Sequence, residues 1–375
     1  MSNSFMVKIT ASLISFILAL GTFFGAYKAP KTQEASKYFD DNIKNVIYLI
    51  GDGMGFNHLE KTKVERKTEL VMDTFEIKGR SMTRSFNKKV TDSAAGGTAL
   101  SSGIRTANSA VGVYPVDKTP KYSYPKSITE LCMERGMLTG VVTTDVTTGA
   151  TPSSFSAHEA NRNNTAELTT DQFDSGINLI WGHSNGVATK SEAQAHGYEY
   201  ISTYDEMMAL EEGSYSYAQF TTQLWNLEQT APYTPTLEQM SMRAIDILDD
   251  TDEGFFLMIE GAHIDKESHS NLSNEMTESL KAFDNTIAAV LEYAEKDGET
   301  LVVVTADHET GAIKPEGDGY VFTSGDHSAA DVPVLVYGSE KLIANGEKLN
   351  NYEIPIRIAY VLGFDETQFP VAVIV

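Results

Sequence analysis

The segment NVIYLI (Asn45–Ile50) is a short apolar run that ends at Gly51-Asp52-Gly53. A continuous apolar run of this length, closed by a glycine-rich turn, is typical of a buried β-strand. Between runs of this kind, two stretches have apolar residues at helical spacing, Leu237–Leu248 and Asn274–Ala294. This alternation predicts an α/β fold, in which a large central, mostly parallel sheet is covered by helices on both faces. The other predicted strands are Leu138–Thr144, Phe255–Ile259, Leu301–Thr305 and Val332–Tyr337.

Acidic residues come directly after three of the predicted strands. They are Asp52, Glu260 and Asp307. Ligands of such sheets bind beyond the carboxyl ends of the strands. We therefore expect these three carboxylates to contribute to one site, although an Asp-Gly turn such as the one at Asp52 is more often only structural.

The run TDSAAGGTA (Thr91–Ala99) places one hydroxyl, that of Ser93, at the head of a small-residue segment. If a helix starts there, its free N–H groups and its dipole would suit an anion such as phosphate. Ser93 is then a candidate nucleophile, but serine needs a base or a metal near neutral pH. The alternative is an ordinary capped helix in which Ser93 is only a satisfied polar group.

Metal-ligand side chains are plentiful in the second half of the chain. Asp265 and His269 would stand on one face of a helix that begins near Ile264, where they could bind zinc or form only a surface ion pair. Asp307 and His308 follow a predicted strand, and His327 lies on a loop before the next strand. His263 is off the face of Asp265 and is not predicted to be a ligand. With Ser93, these residues predict metal-assisted attack on a phosphoryl group.

Composition limits the partners of the chain. Its formal net charge is −23 over 375 residues, which disfavours nucleic acid and anionic lipid as partners. An anionic substrate would need cations in the site to reverse the local field. Cys132 is the only cysteine, so the chain cannot form an intrachain disulfide.

The N-terminal segment predicts export. Lys8 precedes an uncharged, mostly apolar run, Ile9–Tyr27, which is typical of a secretory signal but is nearly long enough to span a bilayer. We therefore interpret residues 1–29 as a signal peptide or a retained anchor, and we expect a membrane partner only if this segment is retained. Residues 30–375 are predicted to form a single catalytic domain. Its polar, aromatic stretch at 161–234 is predicted to be an insertion or a lid.

The motifs resemble those of the alkaline phosphatase family, in order and spacing, from about Asn45 to Tyr337. That family consists of secreted or periplasmic phosphomonoesterases with two zinc ions and one magnesium ion per chain, usually as homodimers. The motifs that match are Asp-Gly-Met-Gly at 52–55, Thr-Asp-Ser-Ala-Ala at 91–95, Ala-Thr-Pro at 150–152 with Arg162 eleven positions after Thr151, Glu-Gly through His at 260–269, Thr-Ala-Asp-His-Glu at 305–309, and His-Ser-Ala at 327–329.

The resemblance implies a role for each matching residue. It implies that Ser93 forms a covalent phosphoserine and that Arg162 holds two phosphate oxygens while Asp92 orients it. It implies a central sheet fold like that of the family and phosphate monoesters as substrates. The implied ligands are Asp265, His269 and His327 for one zinc; Asp52, Asp307, His308 and the Ser93 oxygen for the other; and Asp52, Thr151 and Glu260 for magnesium.

Two positions complicate this assignment. Residue 149, which is usually Asp or His in the family, is glycine here, and the residue after Asp265 is Lys266. With no acid at 149, we expect Lys266 to contact phosphate directly and the magnesium site to be weak. The alternative functions are a related phosphodiesterase or sulfatase, whose usual nucleophiles are threonine or a modified cysteine, and a secreted metal-binding protein without catalysis.

Overall fold

A computed structural model describes residues 34–116, 121–220, 235–370 and 372–374. The predicted signal or anchor segment, residues 1–29, lies outside this part of the chain. Within the described ranges, none of the helices is both long and apolar enough to cross a membrane.

The described chain alternates strands and helices. Short 3-10 turns lie at Ala35–Lys37 and Val71–Thr74. The strands are β1 (Asn45–Gly51), β2 (Ile77–Met82), β3 (Tyr114–Val116), β4 (Lys121–Pro125), β5 (Leu138–Val146), β6 (Leu179–His183), β7 (Glu199–Ile201), β8 (Ser216–Phe220), β9 (Phe255–Gly261), β10 (Thr300–Thr305), β11 (Glu309–Thr310), β12 (Lys314–Glu316), β13 (Gly319–Val321), β14 (His327–Ser328), β15 (Val332–Tyr337), β16 (Lys348–Asn350) and β17 (Ala372–Ile374). The helices are α1 (Phe56–Arg66), α2 (Ser93–Ser102), α3 (Ile128–Glu134), α4 (Ala150–Ser154), α5 (Thr165–Asp174), α6 (Lys190–Ala195), α7 (Tyr204–Met208), α8 (Leu237–Leu248), α9 (His263–His269), α10 (Ser273–Asp297) and α11 (Glu353–Val361).

A ten-stranded sheet forms the centre of the fold. Its strand order is β16-β2-β15-β10-β1-β9-β5-β6-β8-β7. Within the described residues, β15 is antiparallel to both of its neighbours, and every other neighbouring pair in the sheet is parallel. The predicted α/β class with a mostly parallel central sheet is therefore confirmed.

Apolar side chains are buried on both faces of this sheet. Ile47 and Leu49 of β1 belong to a core on one face, into which α8 and α10 pack residues such as Met240 and Leu280. The alternate residues of β1 point to the opposite face, where the core includes Ile358 of α11. Because successive residues of a strand face opposite sides, an all-apolar strand such as β1 requires a helical layer on each side.

The described part of the stretch at 161–234 contributes to the central sheet. Strands β6, β8 and β7 come from it and extend the central sheet beyond β5. These strands are short, and the layer beside them buries polar groups: Tyr217 Oη donates to Gln172 Oε1 at 2.7 Å, and Gln219 Nε2 donates to Thr147 Oγ1 at 2.9 Å. Such polar burial weakens the apolar pattern by which strands are recognised in a sequence. Residues 221–234 lie outside the described part.

Candidate active site

The acidic residues named above lie close together beyond the carboxyl ends of central strands, because the strands that carry them are parallel and adjacent. Ile50 pairs with Glu260 on one side and with Thr305 on the other. Thr143 of β5 is the next partner of Glu260. The ends of β5, β9, β1 and β10 therefore bring Glu260, Asp52 and Asp307 to one place.

Ser93 is the first residue of α2, and it is buried. Asp92 caps this helix: its Oδ1 accepts from the Ala95 amide at 3.0 Å. The two glycines that follow allow α2 to approach its neighbours closely. A Cβ at Gly96 would lie 2.9 Å from the Asp307 carbonyl oxygen, and one at Gly97 would lie 2.8 Å from Ser154 Oγ. The small-residue run therefore positions Ser93 beside the metal-ligand residues.

Ser93 and Arg162 both lie beside Asp92, Ser93 as its neighbour in the chain and Arg162 through an ion pair. Ser93 Oγ is 3.1 Å from His308 Nε2. Arg162 Nη1 is 3.6 Å from Asp92 Oδ2, which also accepts from the Ser109 amide at 2.8 Å. The Arg162 amide donates to the Ser109 carbonyl at 2.9 Å, so Asp92 and Arg162 are held by the same turn.

Asp265, His269 and His327 form one cluster that could hold a metal ion. The two histidine Nε2 atoms are 3.0 Å apart, and Asp265 oxygens lie 3.4 Å from His269 Nε2 and 3.6 Å from His327 Nε2. The Nδ1 atoms of the two rings contact the carbonyls of Gly325 at 2.6 Å and Thr91 at 2.9 Å. Such contacts hold Nδ1 as the protonated nitrogen and leave Nε2 free to bind a metal.

Asp52, Asp265 and His308 form a second cluster of this kind. His308 Nε2 is 3.5 Å from Asp52 Oδ1 and 3.3 Å from Asp307 Oδ2. Asp265 belongs to both clusters, so its carboxylate lies between the two candidate ion positions. His263 is in neither cluster, and its Nε2 lies 3.2 Å from the Thr144 carbonyl.

Three buried oxygens at this site fit a cation. Asp52 Oδ1, Thr151 Oγ1 and Asp307 Oδ2 have no hydrogen-bond partner within the described residues. Buried polar atoms are rarely left unpaired, because the loss of water is costly. Carboxylate, hydroxyl and imidazole donors together suit zinc and magnesium, so the residues present fit both metals.

The pKa values also indicate a shortage of positive charge. Burial, and then repulsion from Asp307 and Asp265, raises the pKa of Asp52 well above its usual range. Burial and repulsion from Asp265 raise the pKa of Asp307 to about 6. Burial and the Asp145 charge raise the pKa of Glu260 to about 8. A divalent cation would relieve this repulsion.

The structure adds two residues that the sequence analysis did not select. Thr310 Oγ1 donates to Asp265 Oδ1 and lies 3.2 Å from His308 Nδ1, so it contacts both clusters. Asp145 forms an ion pair with Lys266. Asp145 directly follows the predicted strand Leu138–Thr144, which is the same signal that selected Asp52, Glu260 and Asp307.

The pairing of Asp145 with Lys266 corrects one expectation. We expected no acid to compete with phosphate for Lys266, because residue 149 is glycine. That premise is wrong: the competing carboxylate comes from position 145, at the end of the neighbouring strand β5. Asp145, four residues before position 149, can reach Lys266 because β5 pairs with β9, which leads into the helix that carries Lys266.

Comparison with known proteins identifies the family. A sequence model described as alkaline phosphatase matches residues 43–183 and 181–324. Alkaline phosphatase 3 of Bacillus subtilis is 33% identical over 315 residues, which cover 79% of this chain and 67% of the relative. The α/β fold and the relatives place the chain among the phosphatases, a class of hydrolase. The chain belongs to the alkaline phosphatase family.

Solved structures agree with this assignment. The alkaline phosphatase of the Antarctic bacterium TAB5 is 29% identical, with a TM-score of 0.75 over 85% of this chain and 98% of the other. A variant of that enzyme, whose structure has Mg bound in the M3 site, is 30% identical with a TM-score of 0.74 over the same shares.

Proposed function

We propose that this protein hydrolyses phosphate monoesters through a covalent phosphoserine at Ser93. The observation that supports this most strongly is the position of Ser93. It begins α2 beside His308, at the sheet edge where buried carboxylates and histidines converge. A non-catalytic metal-binding protein would have no use for a hydroxyl and an arginine at this position.

The metal ions of this proposal are two zinc ions and one magnesium ion per chain. When bound, they would supply Lewis-acid chemistry at the attacking and leaving oxygens. The proposed ligands are Asp265, His269 and His327 for one zinc; Asp52, Asp307, His308 and Ser93 Oγ for the other; and Asp52, Thr151 and Glu260 for magnesium.

The protein residues would carry out two successive displacements at phosphorus. Ser93 loses its proton, its Oγ forms a bond to phosphorus, and the alcohol leaves with the electron pair of the broken P–O bond and takes up a proton. Water then attacks phosphorus, the bond to Ser93 Oγ breaks, and inorganic phosphate leaves while Ser93 regains a proton. Arg162 would hold two phosphate oxygens through its guanidinium fork, and Asp92 would keep that fork in place.

Arg162 also favours monoesters over the related substrates. A guanidinium fork suits the two charged oxygens of a phosphate monoester, whereas a diester or a sulfate ester has only one negative charge to offer. The proposed nucleophile is also a serine, whereas the usual nucleophiles of the related enzymes are threonine or a modified cysteine. A phosphodiesterase and a sulfatase are therefore the alternatives that the experiment should exclude.

The test compares a chromogenic phosphate monoester, a phosphate diester and a sulfate ester. We expect the monoester to be hydrolysed with the highest kcat/KM. Ser93→Ala should lose almost all of this activity and retain zinc, while labelled phosphate should be trapped on Ser93 of the wild-type protein at low pH. Ser101→Ala, at the other end of α2 and also buried, is the matched control and should remain active. Label on any other residue would disprove the nucleophile assignment.

We also propose that the chain is exported and acts outside the cytoplasm, as a homodimer whose residues 30–375 form one catalytic domain. The proposal is supported by Lys8 and the apolar run Ile9–Tyr27, and by the family. The mass of the N-terminal peptide of exported protein tests the cleavage, and the mass of the native protein in solution tests the dimer. A retained apolar segment would indicate an anchor, and a native mass of one chain would contradict the dimer.

A further inference from the structure

We propose that Asp145 supplies, from the end of β5, the carboxylate that position 149 lacks, and that it helps to hold the third divalent cation of this site together with Lys266. In this assignment Asp145 is a positioning residue. The inference rests on the proposed function only in assuming a magnesium ion near Asp52, Thr151 and Glu260.

A backbone amide holds the Asp145 carboxylate in place, and the Asp145 backbone is connected to Glu260. The Val146 amide donates to Asp145 Oδ1 at 2.8 Å. The Asp145 amide donates to Thr143 Oγ1 at 2.7 Å, and the same hydroxyl donates to Glu260 Oε2. One threonine therefore joins the backbone of Asp145 to a proposed magnesium ligand.

Glycine at 149 is explained by the space that Asp145 occupies. Gly149 has φ −54°, which any residue can adopt, so its backbone does not require glycine. A Cβ there, however, would lie 2.6 Å from Asp145 Oδ2 and 3.0 Å from Asp145 Cγ. A side chain at 149 would therefore displace the Asp145 carboxylate from its present position, and its Cβ would also lie 3.1 Å from the Val146 carbonyl oxygen.

Charge in this corner also fits a divalent cation. Asp52, Glu260 and Asp145 bring three carboxylates to this corner, and the Lys266 ammonium pairs with Asp145. A divalent cation would hold Asp52 and Glu260 in their ionised forms and offset their charge. The ion pair with Asp145 holds the Lys266 ammonium at this corner of the site.

The experiment measures Mg²⁺ binding to the zinc-loaded protein by calorimetry. Asp145→Asn keeps the volume and removes the charge, and we expect it to weaken Mg²⁺ binding by about 10–100-fold without loss of zinc. Gly149→Asp alone should also weaken binding, because its new side chain meets Asp145. The double variant Asp145→Ala/Gly149→Asp should recover most of the affinity, because the new carboxylate then has room.

A matched control is the pair of Asp331 and Lys348, whose nitrogen and oxygen are 2.8 Å apart. Its side chains are 22% and 49% exposed, against 18% and 42% for Asp145 and Lys266. Asp331 precedes β15, four strand positions from β5. Asp331→Asn should leave Mg²⁺ binding unchanged.

A further variant separates two roles of Asp145. If Asp145 only neutralised Lys266, then Asp145→Asn/Lys266→Met would bind Mg²⁺ like the wild type, and the inference would be overturned. The inference would also be overturned if Asp145→Asn alone bound Mg²⁺ normally, or if active, zinc-loaded wild-type protein bound no Mg²⁺. None of these three results would contradict monoesterase activity. Normal Mg²⁺ binding by a wild-type protein without monoesterase activity, with weak binding by Asp145→Asn, would contradict the proposed function alone.

Discussion

The two histidines proposed for one zinc are each positioned by a backbone carbonyl that is close in space and distant in sequence. His327 contacts the carbonyl of Thr91, two residues before the proposed nucleophile, and His269 contacts Gly325. The sequence could supply the ligand types, because histidine and aspartate are recognisable singly. It could not supply these partners, since a backbone carbonyl is the same at every residue. Asp145 was recognisable from its place after a strand, but its pairing with Lys266 required the fold.

Arg162→Ala should weaken inhibition by phosphate more than it lowers kcat. A charged, bidentate contact is worth about 1.5–3 kcal/mol, which corresponds to about a 10- to 150-fold increase in the inhibition constant. The KM for a monoester should rise in parallel. Initial rates at several phosphate concentrations measure both effects.

Arg243 provides the control for this prediction, because its Nη1 lies 3.7 Å from Asp246 in an arginine–aspartate pair on α8. Arg243→Ala should leave phosphate inhibition unchanged. Equal inhibition of wild type and Arg162→Ala would remove Arg162 from the phosphate site.

At the scale of secondary structure, regular apolar patterns were predicted accurately and irregular ones were not. Helix α8 has the predicted bounds Leu237–Leu248, and strand β15 has the predicted bounds Val332–Tyr337. Both have strong patterns, since their buried residues are apolar apart from Ser241. Strands β6, β7 and β8 were missed, because they are short and their layer buries glutamine and tyrosine hydroxyl groups. The predicted alternation was therefore sufficient for the fold class but not for the full width of the sheet.

Gly96→Ala tests whether the close approach of α2 positions the site. Alanine is intrinsically the better helix former, by about 1 kcal/mol. The new Cβ, however, would lie 2.9 Å from the Asp307 carbonyl oxygen, and backbone cannot move as easily as a side chain. We expect this overpacking to lower the free energy of unfolding by about 1–3 kcal/mol. The melting temperature, zinc content and activity should therefore all fall.

Gly319→Ala is the matched control, because the nearest atom to its Cβ would be the Glu316 carbonyl oxygen at 3.9 Å. That variant should melt like the wild type and keep its zinc. A Gly96→Ala protein with higher stability and full activity would show that helix propensity, and not the approach to Asp307, dominates at this position.

Acidic charge has to be balanced at the scale of the whole molecule. The chain has a net charge of −23, and its site concentrates buried carboxylates at one edge of the sheet. The raised pKa values of Asp52, Asp307 and Glu260 mean that the metal-free fold binds protons that the unfolded chain has already released. The free energy of unfolding of the metal-free protein should therefore fall as pH rises from the pKa values of the unfolded chain to those of the fold. Burial lowers the pKa of His308 well below its usual range. This residue therefore makes stability rise with pH, but only below about pH 6.5, where the unfolded histidine still binds a proton.

Removal of the metal ions should accordingly destabilise the protein more at pH 9 than at pH 7. Glu260 titrates with a pKa of about 8 in the fold and near 4.5 when unfolded, so ionising it in the metal-free fold costs stability across this interval. Bound cations need the ionised carboxylates and should reverse that cost, since protons and metal compete for the same oxygens. The measurement is the difference in melting temperature between chelator-treated and metal-loaded protein at pH 7, 8 and 9. In Glu260→Gln the metal-free protein should lose less stability between pH 7 and 9, because its amide does not ionise. A wild-type difference that stays constant from pH 7 to 9 would contradict the link between these carboxylates and the metal ions.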